Sequence, residues 1–210
     1  MIKKEKNWPM YTPNHFQFKT ETEKIAFMRK YSFATIITNK ETIPIATQLP
    51  FYIDESSDKL VLSSHFALAN EQAKYIETNT SLIIFTEPHA YISPVHYDKP
   101  ESVPTWDYIS VHAYGKARIL TDEKSKINAL EQMITFYDQN YLDQWAGLSD
   151  KFKKGMMRGI IAFELEVTDL QGQKKLSQNK NAAERLRITG HLEKSDNTVE
   201  RDIANYIKAL

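Results

Sequence analysis

His65, His89, His96 and His112 share the middle of the chain with Asp98 and Asp107. Imidazole and carboxylate are the side chains that suit a divalent metal. No HExxH or HxH spacing groups them, however. The alternative is that His65 and His89 close strand ends through hydrogen bonds and that His112 is one face of a strand. No metal ligand is assigned.

A second set is aromatic. Tyr91, His96, Tyr97, Trp106 and Tyr108 interleave with prolines, and rings of this kind stack on flat ligands such as a flavin or a base. They serve equally as core or as a dimer interface, where tyrosine and tryptophan are common. A third set is Lys174-Lys175-Leu176-Ser177-Gln178-Asn179-Lys180, leading into a helix at Ala182–Ile188. Lysine charge and amide donors can grip an anionic group; a solvated loop has the same composition. For hydrolysis, serines and acids are present, but nothing resembles GxSxG and no carboxylate pair stands apart from surface helix charge. No catalytic residue is assigned.

Composition narrows the chemistry further. The 210 residues contain no cysteine, which excludes disulfides, thiol nucleophiles and thiolate-bound zinc or iron–sulfur clusters. The 6 glycines form neither a GxGxxG turn nor a P-loop. Lys+Arg 27 balance Asp+Glu 27, so no broad basic footprint points to nucleic acid. Met1 to Pro13 has lysines without an apolar core behind them, and no apolar run approaches the roughly 18 residues of a membrane helix. A cytoplasmic protein without membrane contact is expected.

The positioning elements follow from local pattern. Thr20 and Glu23 form a capping box for a helix over Glu21–Tyr31. Phe33–Thr38 and Ile43–Ile53 read as a hairpin around Asn39–Thr42, with Pro44 and Pro50 marking an edge strand or a bulge. Lys59–Ser64 is a strand, Ala67–Ile76 a helix, and Ser81–Thr86 a short buried strand. From Glu87 to Val103, four nearby prolines (Pro88, Pro94, Pro100, Pro104) and the rings predict an ordered loop. Trp106–Leu120 is a long strand. In Asp122–Tyr137, Ile127, Leu130, Met133 (or Ile134) and Tyr137 form one helical stripe. Phe163–Val167 alternates as a half-buried strand, Lys174–Asn181 is polar, and Asn197 caps a last helix over Thr198–Leu210 with Val199, Ile203, Tyr206 and Leu210 on one side. About six strands without βαβ alternation argue for an α+β, mainly β class: an antiparallel barrel with peripheral helices. One domain is expected over 1–210, with a helical extension from about 181.

Taken in order, several segments resemble the PaiB-type family. They are Met10-Tyr11-Thr12-Pro13-Asn14-His15-Phe16, Pro44-Ile45-Ala46-Thr47-Gln48-Leu49-Pro50, His65-Phe66-Ala67-Leu68-Ala69-Asn70, Pro88-His89-Ala90-Tyr91-Ile92-Ser93-Pro94, Val103-Pro104-Thr105-Trp106-Asp107-Tyr108, Val111-His112-Ala113-Tyr114-Gly115 and Lys175-Leu176-Ser177-Gln178-Asn179-Lys180. The resemblance spans roughly Met10 to Leu192. It implies a flavin split barrel similar to pyridoxamine-phosphate oxidases, a homodimer with FMN at the subunit interface, and a role in negative transcriptional regulation. By position it implies that Thr47 and Gln48 face the flavin. His65 and Asn70 would lie near the ribityl phosphate, Tyr91, Ser93 and Trp106 beside the ring, and Lys175, Gln178 and Asn179 would reach in from the late segment.

The chain departs from the family pattern at three places. Where the family reads His-x-Ala-Arg-Ala-Asn-Pro, this sequence has Leu68 for the arginine and Glu71 for the proline; Gln48 stands for the usual histidine; and Val95-His96 replaces Ser-Trp. Loss of a charge-assisted arginine–phosphate pair is expected to weaken FMN about 10- to 100-fold, and Glu71 would add negative charge. Three functions are weighed: an FMN-binding regulator whose ligand is a small, planar anion; a flavin-dependent oxidoreductase acting on a small substrate; and a repressor touching DNA directly. Balanced charge speaks against the last, although Lys151-Phe152-Lys153-Lys154 with Arg158 is a basic stretch.

Overall fold

The structure, a computed structural model, describes residues 10–210. The reading of a leaderless start at Met1–Pro13 falls outside them except at its last four residues. Seven strands form one sheet: β1 (Phe33–Lys40), β2 (Ile43–Pro50), β3 (Tyr52–Asp54), β4 (Val61–Ala67), β5 (Ser81–Ile92), β6 (Thr105–Ile119) and β7 (Ile160–Lys175). Their order is β2-β1-β5-β6-β7-β4-β3. That order is linear rather than cyclic, as a split rather than a closed barrel requires. The helices are α1 (Glu21–Lys30), α2 (Glu123–Tyr137), α3 (Tyr141–Gly147), α4 (Asp150–Met157), α5 (Ala182–Leu192) and α6 (Thr198–Lys208). The mainly β, antiparallel class with peripheral helices read from the sequence is the class observed.

Two compact units are distinguished, one of 10–24, Thr86–Val111 and Gln171–Leu210, the other of Ile25–Phe85 and His112–Leu170. In the second, β2 folds back on β1 in register from Phe33↔Pro50 to Lys40↔Ile43, with Glu41 at φ 56 in the tight turn. β1 also pairs β5 through Ile36↔Ile83, and β4 pairs β7 through Ser64↔Phe163. Alternation along these strands sends Ile36, Leu62, Phe66, Ile83, Phe85, Phe163 and Leu165 inward, all fully buried. Phe66 stacks on Phe163 at 5.0 Å, and Phe51 meets Phe85 and Phe163 edge-on. Rings and β-branched residues at period two therefore build this core.

A polar clasp ties the same unit together. The Tyr137 hydroxyl donates to the Phe51 carbonyl at 3.0 Å and lies 2.7 Å from the Ser32 hydroxyl, which can donate to it in turn. Tyr137→Phe would leave the buried Ser32 hydroxyl and the Phe51 carbonyl without a partner, a cost of about 1–2 kcal/mol. Urea unfolding should therefore show a lower midpoint at unchanged slope. An unmoved midpoint would mean that water replaces the phenol without loss.

Several local expectations change. Ala67–Ile76 is not a helix: β4 runs through Ala67, and only Glu71–Lys74 makes a short 3-10 turn, with Asn70 accepting from the Gln72 N–H at 3.0 Å. Apolar Ala67, Ala73 and Ile76 imitate a helical stripe, but the Asn70 side chain satisfies a turn instead. The loop expected from Glu87 to Val103 starts later, because β5 continues to Ile92 with Pro88 and Ala90 buried. The tyrosine stripe of α2 differs too: Ala129 and Met133 are its buried residues and Tyr137 lies near its edge. In α6, Ile203, Ala204 and Ile207 are buried whereas Leu210 is exposed. At α1, Thr20 caps the Glu23 N–H at 3.1 Å, but the Glu23 carboxylate turns to Lys174 Nζ at 3.0 Å rather than closing the box.

Candidate functional site

The residues expected to hold a ligand fall into two groups, one in each unit. In the unit of Ile25–Phe85 and His112–Leu170, β2 carries Thr47 half-buried and Gln48 exposed, as opposite faces of one strand demand. Thr47 is brought together with Asn70. The Asn70 amide donates to the Thr47 hydroxyl at 3.0 Å, and that hydroxyl donates to Gln72 Oε1 at 2.7 Å. Gln72, missed in the sequence, organises the set. Buried at the short turn, it also donates to the Ile36 carbonyl (3.0 Å) and to Thr38 Oγ1 (3.1 Å). Nothing in its type or spacing distinguishes it from a surface glutamine; only the Asn70 cap two residues earlier hints at its direction.

His65 lies half-buried on β4, with Nδ1 buried and unpartnered among the described residues; burial holds its pKa below the ordinary 6.5, so the ring is neutral at neutral pH. Leu68 is 60% exposed, and Glu71 pairs with Lys40 at 2.9 Å. The Glu71 charge thus has a local countercharge in Lys40.

The second group belongs to the unit of 10–24, Thr86–Val111 and Gln171–Leu210. Tyr91 on β5 and Trp106 on β6 stand out at 47% and 53% exposure, their rings edge to face at 5.8 Å, and His89 adds a third ring 5.9 Å from Trp106. Ser93 caps the short 3-10 turn Pro94–His96 through the Val95 N–H, so its hydroxyl serves the backbone. At the end of β7, Lys175 Nζ donates to the Thr105 hydroxyl and, at 2.6 Å, to the Trp106 carbonyl. The ammonium is therefore fixed at the Trp106 main chain, 5.8 Å from the centre of the Phe16 ring.

Behind Lys175 is a cavity of about 190 Å³ lined by Tyr97, Asp107, Lys175, Ser177, Asn179 and Lys180, among others. Asp107 is fully buried on β6. Its Oδ2 accepts from Ser177 Oγ at 2.6 Å, while Oδ1 has no partner among the described residues. Burial pushes this carboxyl up to about 6 from 3.8, against the opposing pull of the Ser177 hydrogen bond and of Lys175 and Lys180. Burial likewise holds Lys175 below its ordinary 10.5, Asp107 partly compensating. Ser177 sits at φ 56, a left-handed conformation that a serine adopts only when its surroundings impose it. The Tyr97 hydroxyl is buried without a partner among the described residues, and the Lys180 ammonium lies 3.4 Å from the centre of the Tyr97 ring.

Gln178 has a different role from the one expected. Its Oε1 accepts from the Leu176 N–H at 2.7 Å and its Nε2 donates to the Lys174 carbonyl at 2.5 Å, so the amide closes its own loop. Asn179 is exposed at the rim. Asp107, named in the sequence beside the histidines and within the Val103–Tyr108 segment, lines the cavity from β6. Asp98 is engaged elsewhere, with Arg187 at 2.5 Å and Asn181 at 2.7 Å. Among the described residues no group of three or more His, Asp or Glu could hold a metal.

Residues 10–169 match the model of the family described as "Putative FMN-binding domain". The chain belongs to this FMN-binding-domain family. A relative within reach is the "Protease synthase and sporulation protein PAI 2" of Bacillus subtilis (strain 168), 34% identical over 203 residues, 95% of this chain and 97% of the relative. That alignment is longer than the FMN-binding-domain match, which ends before Lys175. Among solved structures, the flavocytochrome Anf3 from Azotobacter vinelandii superposes with a TM-score of 0.61 at 14% identity, covering 76% of this chain and 69% of the other. The FAD and heme binding protein from Mycobacterium smegmatis does so with a TM-score of 0.60 at 10% identity, covering 76% and 73%. At such identities the likeness concerns the fold alone, and it is the fold expected of the FMN-binding-domain family.

Proposed function

We propose that the chain binds FMN and serves in negative regulation of transcription, as a homodimer in the cytoplasm. The observation that carries the ligand is the exposed Tyr91–Trp106 ring pair with Lys175 held at the Trp106 carbonyl. Exposed rings give a flat, polarisable surface, and an ammonium fixed on the Trp106 main chain of the same unit suits the charge of a planar anion. The donor set therefore fits a flavin mononucleotide. When bound, FMN supplies reversible redox chemistry; the chain's own part is to pack its rings, orient it and balance its charge. Ser93 and Asn179 are proposed as further contacts in the same unit, and Thr47, Gln48, His65 and Asn70 as a separate set of ligand contacts within the other unit. The family and the name of the Bacillus relative support this reading.

Regulation is proposed to act through a partner or a metabolite rather than by direct DNA contact. In the basic stretch of α4, Lys154 pairs with Glu123 at 3.1 Å, and Lys153 donates to the Ala146 carbonyl and lies over the Trp145 ring. These cations are already engaged within their own unit. No helix among the described residues is long and apolar enough to cross a membrane.

Titrating FMN into the purified protein while following flavin fluorescence, with sedimentation to read the oligomer, tests the proposal. Saturable quenching of a dimeric species is expected. The absence of any saturable change up to about 1 mM FMN, equivalent to less than about 4 kcal/mol of binding, would overturn the ligand.

A further inference from the structure

The cavity behind Lys175 contains three demands that the protein leaves unmet. Among the described residues, Asp107 Oδ1 is a buried acceptor without a donor, the Tyr97 hydroxyl is buried without a partner, and the Lys180 ammonium lies over the Tyr97 ring. Such groups are rare in folded interiors because leaving them unpaired is costly. All three lie on one space of about 190 Å³, whose rim is formed in part by the exposed Asn179. Ser177, in a left-handed conformation, occupies Asp107 Oδ2 and so leaves Oδ1 as the carboxylate oxygen without a donor among the described residues.

A complementary ligand must offer anionic oxygen to Lys180 and Lys175 and, on the same small body, an X–H group to Asp107. Sulfate has the charge and no proton at neutral pH, so its oxygens would confront the carboxylate lone pairs. A simple carboxylate fails in the same way, and a neutral polyol leaves the ammonium groups unanswered. Hydrogenphosphate carries both a P–OH and P–O⁻ on one tetrahedral centre. We propose that this cavity is a hydrogenphosphate site that takes the free ion. The Asp107 carboxylate accepts from the P–OH, while Lys180, the remaining Lys175 proton and the Tyr97 hydroxyl donate to the other oxygens. A phosphomonoester, whose second pKa is about 6, has lost its P–OH at neutral pH and fails as sulfate does, so the inference stands apart from the flavin reading.

The test uses the full chain at pH 7.5 and constant ionic strength, with inorganic phosphate, sulfate and lactate titrated by calorimetry and phosphate also followed by ³¹P NMR. Phosphate is expected to saturate in the millimolar range or below, with sulfate at least about 10-fold weaker. Asp107→Asn keeps an acceptor for Ser177 and places an amide donor toward the cavity, so sulfate should become level with phosphate. Lys180→Met should weaken both by about 10-fold. Equal binding of phosphate and sulfate by the unaltered protein would overturn the assignment. So would lactate binding more tightly than phosphate, or no phosphate saturation up to about 10 mM.

FMN and riboflavin complete the test. Displacement of bound phosphate by FMN and not by riboflavin would overturn the free-ion assignment, because the FMN phosphate has no P–OH at pH 7.5. FMN binding that leaves phosphate in place supports it. Saturable FMN binding by a protein that takes no phosphate overturns this inference and leaves the flavin reading intact.

Discussion

Leu68→Arg is expected to tighten FMN binding about 10- to 100-fold, with riboflavin unchanged. The gain is that of a charge-assisted, bidentate guanidinium–phosphate pair, about 1.5–3 kcal/mol. The substitution should be tolerated because Leu68 is 60% exposed and its main-chain N–H is held by the Gly159 carbonyl at 2.8 Å whatever side chain follows. Glu71, three residues on, is the competing partner for a new guanidinium. Its carboxylate already holds Lys40 at 2.9 Å, and an exposed pair of this sort contributes little. Parallel fluorescence titrations of both chains with FMN and riboflavin, at low and high salt, measure the effect. Equal shifts for the two flavins, or none for either, would show that position 68 does not meet the phosphate.

Asp107→Asn is expected to stabilise the ligand-free protein at pH 7.5 by about 1–3 kcal/mol, or up to about 10 °C in Tm for a chain of this length. The folded carboxyl titrates at about 6 against an ordinary 3.8. Between those values the folded state holds a proton that the unfolded state has released. Stability attributable to this group therefore falls as pH rises from about 4 to about 6, and the full cost, about 3 kcal/mol, persists above that. An amide removes the cost while still accepting from Ser177. It also deprives Lys175 of its neighbouring negative charge, which offsets part of the gain. Glu23, Asp98, Asp122 and Glu184 are shifted downward, so their contributions have the opposite sign and overlie the raw profile. The difference between variant and parent isolates Asp107: near zero at pH 3.5, rising to a plateau above pH 6. A difference independent of pH would place the Asp107 pKa at its ordinary value. Stability gained by neutralising a buried acid also fits a residue retained for binding rather than for folding.

Much of the architecture could be read from particular residues. Asn197 and the Ile203 stripe marked α6, Asp122 marked α2, and the Asn39–Thr42 turn between two β-branched runs marked the first hairpin. The failures have a common cause, since a local signal was present and distant pairing overruled it. Pro88 reads as a loop residue, yet it lies buried in β5. Ala67–Ile76 has helical spacing, yet β4 takes its first residue and the Asn70 cap makes only a turn of the rest. Within the candidate site, Tyr91, Trp106 and Lys175 were visible as types. The cavity was not, because Tyr97, Asp107 and Lys180 are brought together from separated segments and no spacing records that meeting. Gln178 shows the converse: a residue of suitable type whose amide is used up by its own loop.

β2 is the terminal strand of the sheet order, and it carries Pro44 and Pro50. Their separation by an even number of residues puts both missing amide donors on the same side of the strand. A neighbouring molecule that tried to extend the sheet there would find its row of bonds broken twice within eight residues. Such interruptions are how natural sheets resist runaway edge-to-edge polymerisation. The prolines, which first read only as marks of an edge, thus act as a guard on the behaviour of the crowded, newly made chain.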